Sequence, residues 1–271
     1  MTSARMSALA SLRSSIERIE AQSGSSSPER TALGHGQADA VLQGGLALGA
    51  LHEVFCEGGR QSAAATGFIA ALARRLTPRR PLVWVRQDFS AREVGALSMS
   101  GLAEFGLDPR RLVTVRASDV EDALRTTADV LACDAVGAVV LEVWGETHKL
   151  DLVASRKLTL AAQGAGVTGL LLRIAASPVP STAETRWIVR AARSPPASAW
   201  HSPWQMWGAP LFDAELVRNR HGPLGRWIME WKCDECLFSE PSAADSQPVA
   251  AAPAHRPHQA RGFGKQSVRF A

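Results

Sequence analysis

Between residues 51 and 192, six short apolar runs alternate with segments of helical length, and this alternation leaves few folds open. The runs are Leu51–Cys56, Leu82–Arg86, Leu112–Arg116, Ala138–Trp144, Gly169–Ile174 and Arg186–Ala192. Helices are predicted over Ala63–Leu76, stopped by Thr77-Pro78, and over Ala91–Phe105, closed by Gly106. Two more are predicted over Val120–Cys133, capped by Asp119, and over Leu150–Gly164. Strands alternating with helices build parallel βαβ units in one sheet, and right-handed crossovers limit how they connect. After residue 200 the pattern changes. Leu211–Val217 and Leu224–Lys232, joined by Arg218–Pro223, read as an antiparallel hairpin at the sheet edge. The fold class is therefore α/β, a mostly parallel sheet flanked by helices with an antiparallel C-terminal edge hairpin.

Both ends of the chain differ from this core. Leu9, Leu12, Ile16 and Ile19 line one face of a predicted N-terminal helix, and Gly24–Pro28 forms a linker. Residues 1–30 form this helix and linker, 31–238 the core, and 239–271 a polar tail expected to be disordered. The tail ends in a basic stretch with Arg261, Lys265 and Arg269 beside Phe263 and Phe270, which suits either a short binding motif or an idle solvated end. No apolar run reaches about 18 residues and no signal-type segment opens the chain, so no membrane contact and a cytoplasmic location are expected. The net charge of +4 is compatible with nucleic acid or an acidic partner but decides nothing without clustering.

The loop after Leu51–Cys56 stands where a nucleotide-binding protein holds phosphate. Such a loop uses backbone N–H groups, a helix N-terminus, a lysine for the terminal phosphates and a hydroxyl for magnesium. Here the stretch reads Glu57-Gly58-Gly59-Arg60-Gln61-Ser62-Ala63, and Ser62 and Ala63 stand where the lysine and hydroxyl belong. The loss of one preorganised cationic contact costs about 2.7–4 kcal/mol of transition-state stabilisation. Arg60 lies upstream, and its planar fork places charge differently. The plainer reading of Gly58, Gly59, Arg60, Gln61 and Ser62 is a strand-to-helix turn.

The remaining chemistry is sparse. Cys233 and Cys236 form one C-D-E-C pair, half of a zinc site at most, and reduced thiols are expected. No G-x-S-x-G nucleophile elbow occurs. Trp227 and Trp231 share a strand face and are expected in the core, whereas Trp200, Trp204 and Trp207 sit among Ser202 and Pro203 and form the best partner-binding patch. Arg218, Asn219 and Arg220 are candidates for a partner or DNA contact, against the plainer reading of a charged edge that resists aggregation.

Two segments carry a family resemblance. Val41–Val54, VLQGGLALGALHEV, resembles the stretch that enters the core of RecA-family recombinases, and Arg218–Pro223, RNRHGP, resembles the Lys-Asn-Arg-x-Gly-Pro signature of RecA-like proteins. The likeness covers residues 31–236. With the missing lysine and the basic tail, the chain is most similar to the ImuA family, RecA-like accessory proteins sometimes called SulA-like. That resemblance implies action with ImuB, a catalytically dead polymerase homologue, with RecA and an error-prone DnaE-type polymerase as further partners, in mutagenic translesion synthesis induced by DNA damage.

It further implies roles for particular positions. Glu142 matches the acidic motif that holds magnesium in active relatives, against the plainer reading of a buried carboxylate paired with a basic neighbour. Gln87 and Asp88 stand where a catalytic glutamate is expected, and Ala175 and Ala176 where a γ-phosphate-sensing glutamine is expected. The implied protein is a pseudo-ATPase that needs no cofactor, with residual ATP binding left open. Residues 145–149 and 175–186 match the DNA-contacting loops but hold only Lys149 and Arg186 as cations, so DNA contact is weak or indirect. Two alternatives stay open: a working DNA-dependent ATPase with an atypical loop, and a SulA-like inhibitor of cell division acting on FtsZ.

Overall fold

In a computed structural model, which describes residues 28–194 and 208–241, the six apolar runs become the parallel part of a nine-stranded sheet. A two-residue ribbon precedes it, β1 (Arg30–Thr31) pairing with β2 (Leu46–Ala47) around helix α1 (Gly36–Val41). The core then runs β3 (Leu51–Cys56), α2 (Ser62–Leu76), β4 (Leu82–Gln87), α3 (Asp88–Val94), α4 (Met99–Glu104) and β5 (Leu112–Ala117). It continues through α5 (Val120–Leu131), β6 (Ala138–Trp144), α6 (Leu152–Ala165), β7 (Thr168–Ile174) and β8 (Thr185–Ala191). The antiparallel end is β9 (Leu211–Asn219), β10 (Gly225–Lys232) and β11 (Leu237–Ser239).

Spatially the strands run β11-β10-β9-β8-β3-β7-β6-β4-β5. All six residues of β3 are buried, because β7 and β8 pair on both sides of it and helices cover both faces. One apolar core joins α2 to the sheet and includes Phe68, Trp84, Trp187, Phe212 and Trp231. The other joins α5 and α6 to the opposite face, through Ala123, Leu131, Leu158 and Ala162. The predicted α/β class with its antiparallel C-terminal hairpin is the observed one.

Two local features differ from the sequence reading. The helix expected over Ala91–Phe105 is two helices: Gly95 turns to φ +80° after α3, and Ser98 restarts the chain by accepting a hydrogen bond from the Gly101 N–H. A third antiparallel strand, β11, follows the hairpin. Its Phe238 is fully buried, 5.3 Å from the Phe68 ring and 4.9 Å from Trp231, a burial that contributes about 1.5–3 kcal/mol. The glycine turn before β2 is fixed by contact as well as by φ: a side chain at Gly45 (φ +124°) would collide with the Thr31 backbone.

His52, at the second position of β3, is fully buried between the Ala47 carbonyl (2.9 Å) and the Thr185 hydroxyl (2.8 Å). Burial pushes its pKa down to about 4, so it is a neutral structural group at physiological pH. No helix among the described residues is long and apolar enough to cross a membrane.

Candidate functional site

The topology places a crevice at the C-terminal ends of β3, β6 and β7. The loop leaving β3 feeds α2 on one face of the sheet, while the loop leaving β6 feeds α6 on the other. Ligands of open α/β sheets bind where connections diverge in this way.

The loop at this crevice is held by its own side chains. Gly58 adopts φ 63°, ψ −179°, a conformation essentially restricted to glycine. The Ser62 hydroxyl donates back to the Gly59 carbonyl at 2.6 Å. Gln61 accepts a bond from the Ala191 N–H at 2.7 Å and so ties the loop to the end of β8. Glu57 pairs with Arg190 at 3.2 Å, and Arg190 also meets Glu215 at 3.2 Å. The Trp144 indole lies over the loop, so that a Cβ added at Gly59 would sit 3.2 Å from its ring. Arg60 is exposed and makes no hydrogen bond among the described residues. The chain's four lysines are Lys149, Lys157, Lys232 and Lys265, none of them in the loop. The turn thus keeps a helix N-terminus, which favours anions. Its one carboxylate, Glu57, is already paired with Arg190, and Arg60 adds an exposed positive charge on a side chain that no contact among the described residues holds in place.

Glu142 is fully buried on β6, directly beside Arg86 of β4 in the parallel register. One carboxylate oxygen accepts from Trp84 Nε1 (3.0 Å) and Arg86 Nε (2.8 Å), and the other from Arg86 Nη2 (2.8 Å). Arg86 Nη2 also donates to the Gly95 carbonyl, joining this pair to the break between α3 and α4. Both oxygens of Glu142 therefore already serve protein donors in a bidentate pair. Gln87 closes β4, and Asp88 opens α3 with its carboxylate 2.8 Å from Arg116. Ala175 takes a left-handed conformation (φ +54°) and donates its N–H to the Cys56 carbonyl, which locks the end of β7 to the end of β3.

A second buried pair on the opposite face went unforeseen. Glu53 of β3 is 2.7 Å from Arg186, its register neighbour on β8, and accepts a bond from the Ser181 hydroxyl at 3.0 Å. Arg173 stands beside it, 2% exposed, donating to the Gly145 carbonyl at 3.2 Å while its Nε has no partner. Arg173 and Arg186 both lie over the Phe55 ring, at 5.6 and 5.5 Å. A signal was present: Glu53, Arg86, Glu142, Arg173 and Arg186 are charges set in otherwise apolar strands, and a buried charge demands a partner. Above them, Glu146 accepts the Ser177 N–H at 2.7 Å, joining the loops after β6 and β7, and that bond holds its carboxyl below the usual range.

The Arg218–Pro223 segment lies at the other end of the sheet. Asn219 pairs with Thr185 at the start of β8, so the turn sits at the N-terminal ends of the parallel strands, away from the loop at Gly58. Asn219 donates to the Val41 and Pro223 carbonyls, both at 3.1 Å, and Gln43 donates to the His221 carbonyl at 2.6 Å. Arg220 is exposed, and Arg218 is half-buried. The motif thus staples the β9–β10 turn to the end of α1. Trp227 packs against Trp187 at 6.1 Å, and Trp231 is fully buried. Trp200, Trp204, Trp207, Arg261, Lys265, Arg269 and the N-terminal helix lie outside the described residues. No group of His, Cys, Asp or Glu among the described residues is arranged to hold a metal ion, and Cys56, Cys133, Cys233 and Cys236 are free thiols.

The chain matches no protein-family model. It is 34% identical over 204 residues to Protein ImuA of Caulobacter vibrioides strain NA1000 / CB15N, an alignment that covers 69% of this chain and 77% of the relative. Protein ImuA of Caulobacter vibrioides strain ATCC 19089 / CIP 103742 / CB 15 gives the same identity and coverage.

Proposed function

The chain belongs to the ImuA family, and from that premise we propose that it is a non-hydrolysing scaffold of mutagenic translesion DNA synthesis that binds an ImuB-type polymerase homologue. The observation that carries this reading is the state of the crevice. A loop shaped for phosphate has no lysine, is tied down by Gln61 and Glu57, and lies under Trp144. The nearby acid that could serve a metal is instead bonded to Arg86 and Trp84. A preorganised cation and a free carboxylate are what phosphoryl transfer draws on. Their absence supports a core that presents surfaces rather than turns over nucleotide.

The test mixes purified full-length protein with its ImuB-type partner in gel filtration, with and without magnesium ATP. The expected result is one complex that forms to the same extent in both conditions. Association that requires ATP would overturn the scaffold reading.

A further inference from the structure

A cluster of arginines lies away from the crevice, at the N-terminal ends of β4 and β5. These neighbouring parallel strands start in register, Leu82 beside Leu112. Each is entered by a loop carrying two consecutive arginines, Arg79-Arg80 and Arg110-Arg111. Adjacent strands lie about 4.8 Å apart, so the sheet itself brings the two pairs together. Arg74, from the last turn of α2, completes the group.

These arginines are not equivalent. Arg110 is spent on Asp108, with two contacts of 3.0 Å. Arg74, Arg79, Arg80 and Arg111 instead line a cavity of about 310 Å³, together with Thr77 and Asp108. Arg80 donates to the Asp134 carbonyl and Arg111 to the Arg79 carbonyl, which fixes two guanidinium groups; Arg111 Nε also lies 3.8 Å from Asp108, which leaves its Nη2 facing no carboxylate. The Nε of Arg74 is buried and has no acceptor. Gly106 (φ +87°) lies against that side chain: a Cβ there would collide with Cys236 Sγ and sit 3.2 Å from Arg74 Nε. A buried donor without an acceptor is costly unless an oxygen arrives to take it.

We propose that this pocket binds a phosphate group of a nucleic-acid backbone, with Arg74, Arg79, Arg80 and Arg111 as donors. Guanidinium forks match phosphate oxygens in pairs. Arg79, Arg80 and Arg111 are exposed at the rim, which extends the positive field past the seat toward flanking charges, as a polymer of regular charge needs. No aromatic ring lines the pocket; Leu82 and Leu107 are buried in the core, and Pro78 and Leu112 are its accessible apolar side chains. The wall therefore offers no stacking platform for bases, and its arginines outnumber its accessible apolar side chains. Contact is with the backbone alone and is independent of base sequence.

The test uses the full-length chain and the anisotropy of a labelled oligothymidylate across a salt series. For single strands the slope of log K against log salt is about −0.7 per phosphate neutralised, so loss of the one phosphate seated here flattens it by about 0.7. Arg79→Gln/Arg111→Gln is expected to show that loss with an unchanged thermal midpoint. Arg79→Lys/Arg111→Lys is expected to retain most of the slope, because the charge remains. An unchanged slope in the glutamine variant would refute the proposal. So would polyglutamate competing better than the oligonucleotide, or a site that takes inorganic phosphate but not the strand.

Discussion

Glu142→Gln isolates the electrostatics of the crevice. The substitution keeps the side-chain shape and removes one charge. Three donors now face Glu142, two from Arg86 and one from Trp84, and Arg86 is only 6% exposed. A carboxamide has one oxygen to offer them and turns an NH₂ group toward the remaining donor. Arg86 becomes a buried cation without a counter-charge. The removal of one partner from a buried pair costs about 3–5 kcal/mol, a large share of a typical domain stability of about 5–15 kcal/mol. With a urea dependence of about 2 kcal/mol/M, the unfolding midpoint falls by about 2 M.

The Arg86→Met/Glu142→Leu double variant removes both charges and is expected to recover most of that loss, because a buried pair replaced together by apolar groups is close to neutral. Urea unfolding of the wild type, Arg86→Met, Glu142→Leu and the double completes the cycle. A loss below about 1 kcal/mol for Glu142→Gln, or strictly additive singles, would refute the reasoning that this carboxylate is held as a structural counter-ion.

Further expectations follow from His52, Gly58 and the C-terminal tail. His52 has a folded pKa of about 4 against an ordinary 6.5. Above pH 6.5 it is neutral in both states; as pH falls toward 4 only the unfolded chain takes up the proton, so stability drops by up to about 3 kcal/mol. His52→Gln should flatten that part of a pH series of thermal midpoints. Gly58→Ala forces a side chain into φ 63°, ψ −179° and is expected to cost about 1–3 kcal/mol in chemical unfolding. A cost near zero would mean that the loop relaxes out of this conformation. A chain truncated after Ser239 keeps β11 and is expected to pull down less of the ImuB-type partner; undiminished capture would exclude the tail from the contact.

Much of the fold was readable because each element carried its own local signal. Apolar runs such as Ala138–Trp144 are dense enough to be buried on both faces, and Asp119 caps α5 by accepting the Glu121 and Asp122 N–H groups. Less local effects were not readable. The break at Gly95 depends on a backbone angle inside a periodic helical pattern. Strand β11 has three residues, and Phe238 is fixed by ring contacts with Trp231 across the β10–β11 pair and with Phe68 from a distant part of the chain.

The missing lysine was plain in the sequence, but the contacts that hold the loop were not. Gln61 meets Ala191 and Glu57 meets Arg190 only because β8 lies beside β3. Likewise, the likeness at Arg218–Pro223 carried no information about which end of the sheet it occupies. An antiparallel strand reverses the ends, and β9 is antiparallel to β8.

A crevice without a lysine, with its acid bound to Arg86, should not turn over nucleotide. Phosphate release from magnesium ATP by the purified full-length chain, with and without single-stranded DNA, tests it most directly. The expected rate is the buffer background in both conditions. Turnover stimulated by DNA and lost in a Glu142→Ala variant that remains folded would contradict it.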